Sequence, residues 1–553
     1  MVEYDVVFHC VLVAVVTSLA YSNIFQNEFV YDDYTFIVKW NATRSLGNIP
    51  SFFTGELPHG HSGVYRPVRG VFYAVGYWLW GVNPAGYHLQ SLFVHLTCTI
   101  LVYFIALEVA ESGVIALMTA IVFGVHPVHT EAVTFMTASF DVIGVAFFLS
   151  SFLLYLRSGG DWRRVEYVFS AAFAVLAFLT YEVTLTLPLM IVLYDACFRK
   201  AKRRSVGGYW VKIPYFMLAA FYFLVRSLIL ELPRGQYFAG SFYYTMLTMS
   251  KAFVKYVSLT LFPVGLSLEH TLPGGISSHI DSNLMGVVFA QTILDSDVLF
   301  SMAVILTLVV IMVKCLRRYP IVSFCIGWFI IGLSPVSNII PQPVVMAERY
   351  LYLPSFGFCL LFSWVVYQGF RKDKWLALVF VFVVLAYAGL TISRNYEWRD
   401  QMTLWSKTAE RSPGSALPHL DLGIEYARHG MADAATEEFK KTLDINPDIA
   451  EAHNNLGIIY TKQGRVDLAV NEFKTAIKIK PELEEAHNNL GIIYVKQGMT
   501  DAAAEEFRRS IEITPDEAKT HIMLEEVYKM QGRANMSLRE YENASEFYPE
   551  NRV

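Results

Sequence analysis

Runs of about 20 mostly apolar residues, each long enough to cross the hydrocarbon core of a bilayer as one helix, recur through the first three-quarters of the chain. They lie near 5–24, 88–107, 113–133, 138–156, 165–180, 183–198, 213–230, 298–314, 321–340, 350–370 and 375–392. A segment surrounded by lipid must satisfy its backbone internally, so each run is read as a helix, giving about eleven spans. With 54% of the 553 residues hydrophobic, the chain is an integral membrane protein at least in part. The first run has no basic flank before it and no small-residue cleavage pattern after it, and is read as a retained span.

Basic residues orient the spans, because connections left in the cytoplasm are enriched in Lys and Arg. Arg157, Arg163 and Arg164, then "RKAKRR" (199–204) with Lys212, then "KCLRR" (314–318) and "RKDK" (371–374) fall in alternate connections. The N-terminus is therefore expected in the cytoplasm, and an odd number of spans puts the C-terminus outside. The long outer segments are then 25–87, 231–297 and everything after about 393. Within the second, "FYYTMLTMSKAFVKYVSLTLF" (242–262) carries Lys251 and Lys255 on one helical face and reads as an interfacial or re-entrant helix. A formal net charge of −5 is small for this length and gives no reason to expect a nucleic-acid partner. The six cysteines sit in or beside apolar runs, so no disulfide framework is expected.

From about 415 the sequence turns charged, alanine-rich and periodic. His419, His453, His487 and His521 are spaced 34 apart, as are Gly430, Gly464, Gly498 and Gly532, and Pro447, Pro481, Pro515 and Pro549. A 34-residue unit with Gly between two helices and Pro after the second is the tetratricopeptide pattern, and four units stack into a short superhelix. The fourth has Glu525 where Gly423, Gly457 and Gly491 stand in the others. The expected architecture is all-α: a polytopic membrane domain over 1–392, a linker over 393–414 and a repeat solenoid over 415–553. Asn454, Asn455, Asn488 and Asn489 are candidates for a peptide-binding groove; the competing reading is that they are polar residues at helix starts. Histidines 34 apart do not converge as metal ligands.

Chemistry is sought where charge meets the membrane edge, because such charges are expensive to keep. The outer ends of the spans collect Asp32 and Asp33 in "NEFVYDDYTFIVKW", then "HPVHTE" (126–131), Asp141, "YE" (181–182) and "AERYLYLP" (347–354). Residues 34–38 favour strand or turn over a helix start, and Phe36 stands where a capping box needs Glu, which argues against Asp33 as an N-cap for that segment. Adjacent side chains diverge in an extended segment, so one acid is expected to face a reaction and the other to support structure or a metal. His126 and His129 bracket Pro127, which ends or kinks the third span. Without the Glu of H-E-x-x-H this is no metalloprotease motif, leaving phosphate binding or a satisfied helix end as readings. Arg349 can fork onto a phosphate or pair with Glu348.

Taken in order, "VYDDYTFIVKW", "YRPV" (65–68), "HPVHTEAV" (126–133), "ERYLYLPSFGF" (348–358), "RNYEWRD" (394–400) and the appended repeats resemble the transmembrane and tetratricopeptide-repeat-containing protein O-mannosyltransferases and their prokaryotic relatives. These belong to the GT-C glycosyltransferases. The resemblance implies a polyprenyl or dolichyl phosphate sugar as lipid-linked donor and a protein hydroxyl as acceptor, with transfer on the outer or lumenal face of an inner, plasma or endoplasmic reticulum membrane. It makes Asp32 and Asp33 the catalytic candidates. His126, His129, Arg349 and Arg66 are donor-phosphate candidates, with Glu131, Asp141, Glu182, Glu348 and Tyr65 as polar support. A divalent metal is left open. The chain departs from the family pattern at "TASFD" (137–141), which lacks the usual arginine, and at Tyr181-Glu182, where Lys-Glu is usual.

The residues suit such a transfer on their own terms: a carboxylate takes the hydroxyl proton while a cation receives the departing phosphate across the anomeric carbon. Two other classes stand beside it. One is an inactive membrane scaffold whose repeats gather partners for assembly or export of an envelope complex. The weaker one is a transporter, since the charges gather at one face and do not mark the midplane.

Overall fold

The computed structural model describes residues 2–54, 65–199, 210–229, 237, 240–273, 276–277, 291–342 and 344–547. The basic run beyond Arg199, parts of the two outer segments and the last repeat proline, Pro549, lie outside the described residues. Two compact units divide between Arg411 and Ser412.

The first unit is built from helices α1 (Val2–Ala20), α2 (Pro67–Trp80), α3 (Pro84–Ala110), α4 (Gly113–Gly124), α5 (Met136–Ser158), α6 (Val165–Phe178), α7 (Leu187–Tyr194), α8 (Ile213–Ile229), α9 (Phe242–Leu261), α10 (Ser296–Cys315), α11 (Pro320–Leu333), α12 (Ser355–Phe370), α13 (Leu376–Glu397) and α14 (Gln401–Arg411). A two-stranded antiparallel pair, Thr271–Leu272 with Ile276–Ser277, is the sheet among the described residues. Each of the eleven apolar windows contains a helix. Five of these helices are long and apolar enough to cross a membrane alone: α3, α5, α10, α13, and α8 with the turn before it, from Trp210. A sixth span results if α4 and the bent segment after it count as one.

Two windows differ from plain spans for identifiable reasons. The third breaks at His126, where Pro127 cannot donate to the preceding turn, and residues 127–134 continue at 51° to α4. In the sixth, α7 has 8 residues, flanked by a 3-10 turn from Glu182 and a π turn from Asp195. The segment 242–262 forms the 20-residue helix α9, with Lys251 buried and its Nζ donating to the Pro273 carbonyl at 2.8 Å.

Lipid is as apolar as leucine, so the helices cohere by close packing and internal polar contacts. Gly357 lets α12 approach α11: a Cβ there would lie 2.5 Å from the Cys325 carbonyl oxygen. Around it Trp328, Phe324, Phe356 and Phe152 form a fully buried aromatic core.

The stretch 393–414, expected as a linker, holds the end of α13 and the helix α14 as far as Arg411. Trp398, Leu404 and Trp405 are buried within the first unit. Their aromatic and aliphatic side chains need a dry surface, which a free connector does not supply.

The second unit is four helix pairs: Ala416–Arg428 with Ala432–Ile445, Ala450–Lys462 with Val466–Ile479, Glu484–Lys496 with Thr500–Ile513, and Ala518–Met530 with Ala534–Phe547. In the first three repeats a glycine admits a phenylalanine from the second helix. A Cβ at Gly423, Gly457 or Gly491 would meet Phe439, Phe473 or Phe507 at 2.6–2.7 Å. In the fourth, Glu525 occupies the glycine position, and the corresponding ring, Tyr541, is 48% exposed.

Candidate active site

Asp33 is fully buried. Its Oδ1 accepts from both the backbone N–H and the hydroxyl of Thr137, at 2.7 and 2.6 Å, and its Oδ2 accepts from the Val30 N–H at 3.2 Å. It therefore caps the first turn of α5 from 104 residues away, which sequence-local capping rules cannot detect. Burial pushes its carboxyl up to about 7, against the three hydrogen bonds that favour the charged form, with Asp32 adding to the rise. Asp32 is partly exposed. The segment after the pair is a π-helical turn, Tyr34–Lys39, where strand or turn was expected. Ile37 and the ring of Phe36 draw it into an aromatic cluster with Tyr73, Tyr87 and Phe140.

The first turn of α2 and the start of α5 build an ion-pair network beside this acid. Arg66 donates from Nε to Glu182 at 2.7 Å and from Nη1 to Asp141 at 3.1 Å, and stacks over Tyr181 at 5.2 Å. Arg69 pairs with the same Asp141 oxygen at 3.1 Å and donates from Nη2 to the Thr137 carbonyl at 3.0 Å. Thr137 thus joins Asp33 to Arg69, Asp141, Arg66 and Glu182. "TASFD" carries no cation, and both arginines on Asp141 come from the start of α2: Arg66 from its N-cap and Arg69 from its first turn. Arg69 and Thr137 were not singled out from sequence. The available signal was Arg69 lying three residues after Arg66 at a helix start, on one face.

Arg349 reaches buried Glu131 twice, through its guanidinium and through its backbone N–H at 3.0 Å, and lies over Tyr350 at 5.3 Å. Its neighbour Glu348 turns the other way. Glu348 accepts from His270 Nε2 at 2.9 Å and from the Ser267 N–H, and lies 3.6 Å from Arg394. Arg349 therefore pairs with Glu131 and not with Glu348. Tyr65 is buried, its hydroxyl donating to the Phe53 carbonyl at 3.0 Å.

His126 and His129 lie inside the bundle. Both are fully buried with both ring nitrogens engaged: His126 with the Thr260 carbonyl and the Val128 N–H, His129 with the Phe123 carbonyl and the Ser355 hydroxyl. The bend at Pro127 turns them into the bundle, with the partners that the satisfied helix-end reading calls for. Three of the four groove candidates make hydrogen bonds within the solenoid. Asn489 donates to Asn454 at 3.0 Å, and Asn488 exchanges hydrogen bonds with Thr520, so three of the four tie successive first helices together. Asn455 is half-buried.

The repeat histidines have a structural task that the sequence left open. In every repeat Nδ1 pairs with a glutamate 19 residues later and Nε2 bonds a proline carbonyl 6 residues earlier, as in His453 with Glu472 at 2.6 Å and Pro447 at 3.1 Å. The same clasp recurs at His419, His487 and His521. Among the described residues no three His, Cys, Asp or Glu side chains are grouped to hold a metal ion.

Comparison with known proteins bears out the resemblance and the repeats. A TPR-repeat family model matches residues 458–498, and two tetratricopeptide-repeat models match 438–471 and 484–517. The chain is 25% identical over 439 residues to a protein O-mannosyl-transferase of Caenorhabditis elegans, covering 76% of this chain and 60% of that protein. It is 25% identical over 498 residues to protein O-mannosyl-transferase TMTC4 of Mus musculus, covering 78% and 65%. With the Drosophila melanogaster protein O-mannosyl-transferase Tmtc3 it shares 24% over 516 residues, covering 78% and 54%. It thus spans less than two-thirds of the length of these curated relatives.

Proposed function

We propose that the chain is a membrane glycosyltransferase that moves a sugar from a polyprenyl or dolichyl phosphate donor to a protein hydroxyl, on the face of the membrane away from the cytosol, with the repeats recruiting the acceptor. The observation that carries this reading is the junction of the acid loop with the arginine network through Thr137. The kinship with protein O-mannosyl-transferases adds the reaction class.

In the proposed transfer Asp32, the partly exposed acid, takes the proton from the acceptor hydroxyl as its oxygen attacks the anomeric carbon. The bond from that carbon to the phosphate oxygen breaks, and the lipid phosphate leaves with the electron pair. Arg66 and Arg349 are the cations suited to receive it, each sharing its present carboxylates with the phosphate oxygens. Phosphate is already a good leaving group, so no acid catalyst is required. Asp33 holds the start of α5 and keeps its neighbour in place.

The test is transfer by the purified full-length protein in lipid vesicles, supplied with dolichyl phosphate mannose and a serine- and threonine-rich peptide. Asp32→Asn should lower the rate by about a hundredfold or more, the usual reach of a general base, with the fold intact. Unchanged transfer by this variant would reject Asp32 as the base. A wild type inert toward every polyprenyl phosphate sugar would favour the scaffold reading.

A further inference from the structure

The segment 394–411, the end of α13 with α14, touches both halves of the candidate site. On one side it holds the acid loop. The Arg399 carbonyl accepts from the Glu28 N–H at 2.8 Å, the Asn395 carbonyl accepts from the Asn27 side chain at 2.9 Å, and Trp405 meets Tyr31 edge to face at 5.5 Å. Asn395 also accepts from Thr134, and Trp398 stacks on Phe135 at 5.4 Å, directly before the α5 turn that receives Asp33. On the other side Arg394 lies 3.6 Å from Glu348, whose successor is Arg349.

Glu397 is the point on which these contacts converge. It is buried, accepts hydrogen bonds from both terminal guanidinium nitrogens of Arg411 and one from Arg394 Nη1 as well. Arg411 extends the clasp to the Leu266 carbonyl, next to the Ser267 that holds Glu348. Two arginines thus bring the end of α13 and the end of α14 together on one carboxylate. Bidentate arginine pairing fixes direction as well as distance.

We infer that Glu397 is a positioning residue: by clasping Arg394 and Arg411 it locks 394–411 as a strut that holds the acid loop and the Arg349 segment in one fixed arrangement. The geometric part stands on these contacts alone; its effect on sugar transfer rests on the glycosyltransferase reading.

Hydrogen exchange on the full-length protein in lipid nanodiscs, followed in peptides covering 27–40 and 345–352, tests the inference. In Glu397→Gln and in Arg411→Met both peptides should exchange about tenfold faster, while Arg411→Lys restores most of the protection. Lys212→Met, which breaks the Lys212–Asp195 pair of 2.9 Å, is the control and should leave both peptides unchanged. Should Glu397→Gln fail to fold, Arg411→Met carries the same test from a more exposed partner. Wild-type exchange in either peptide overturns the strut. Faster exchange with undiminished turnover overturns its role in the reaction, for which the expected signature is a lowered kcat at little-changed KM for the peptide. Faster exchange in a protein whose wild type moves no sugar leaves the strut standing and rejects the glycosyltransferase reading instead.

Discussion

Thr137 gives both its backbone N–H and its hydroxyl to a single oxygen of Asp33, so the buried acid of the pair is a fixture of helix α5 before it is anything else. Its carboxyl, raised to about 7 mainly by burial, binds a proton in the folded chain that the unfolded chain releases near pH 4. The folded state therefore holds more protons across that interval, and stability should fall as pH rises from about 4 through 7. Thermal midpoints in detergent should decline over this window in the wild type and decline less in Asp33→Asn.

Arg349 and Glu131 form a buried pair whose loss is asymmetric. Arg349→Met leaves Glu131 charged and enclosed, and should cost about 3–5 kcal/mol. Adding Glu131→Gln should recover a large part of that loss, because the stranded charge is gone. Thermal midpoints of the two single variants and the double variant measure the coupling.

The repeat clasp should respond to pH in the same direction as Asp33, for a different reason. Burial favours the neutral His453 ring, but the bonds to Glu472 and to the Pro447 carbonyl outweigh it and raise its pKa above the ordinary 6.5. His487 behaves alike with Glu506 and Pro481. A histidine pKa raised by folding contributes stability that is complete below the unfolded value and lost as pH climbs through the folded one. Exchange protection of helices 450–462 and 466–479 should therefore weaken as pH rises above about 6.5, and Glu472→Gln should flatten that dependence.

Gly457→Ala should destabilise its repeat by about 1–3 kcal/mol, since the added methyl meets the Phe473 ring at 2.7 Å. Gly389→Ala, where nothing lies within 4 Å, is the matched control and should change little. Local exchange protection in the intact chain separates the two.

Features written into local order were legible beforehand. The 34-residue spacing of His, Gly and Pro specifies the repeat because each copy solves the same packing problem with its own residues. Pro127 announces the break after His126 because a missing N–H acts where it stands. What could not be read depends on distant partners. Nothing near Asp33 names Thr137, and nothing in "YRPVR" tells that Arg69 will share Asp141 with Arg66. His126 and His129 look available in a linear motif, and the inward turn of the bent helix that buries both rings is set by distant partners. Residues 393–414 looked like a connector because their polar content hides Trp398 and Trp405, whose dry surfaces lie in segments far along the chain.

Each histidine clasp closes over a short stretch of chain, from a proline to a glutamate 25 positions later, and draws on no other repeat for its charges. In the second, third and fourth repeats that proline is the one that closes the preceding copy, so each clasp there is also a stitch across a junction. Loosening one slackens two neighbouring helix pairs together, and the array yields junction by junction.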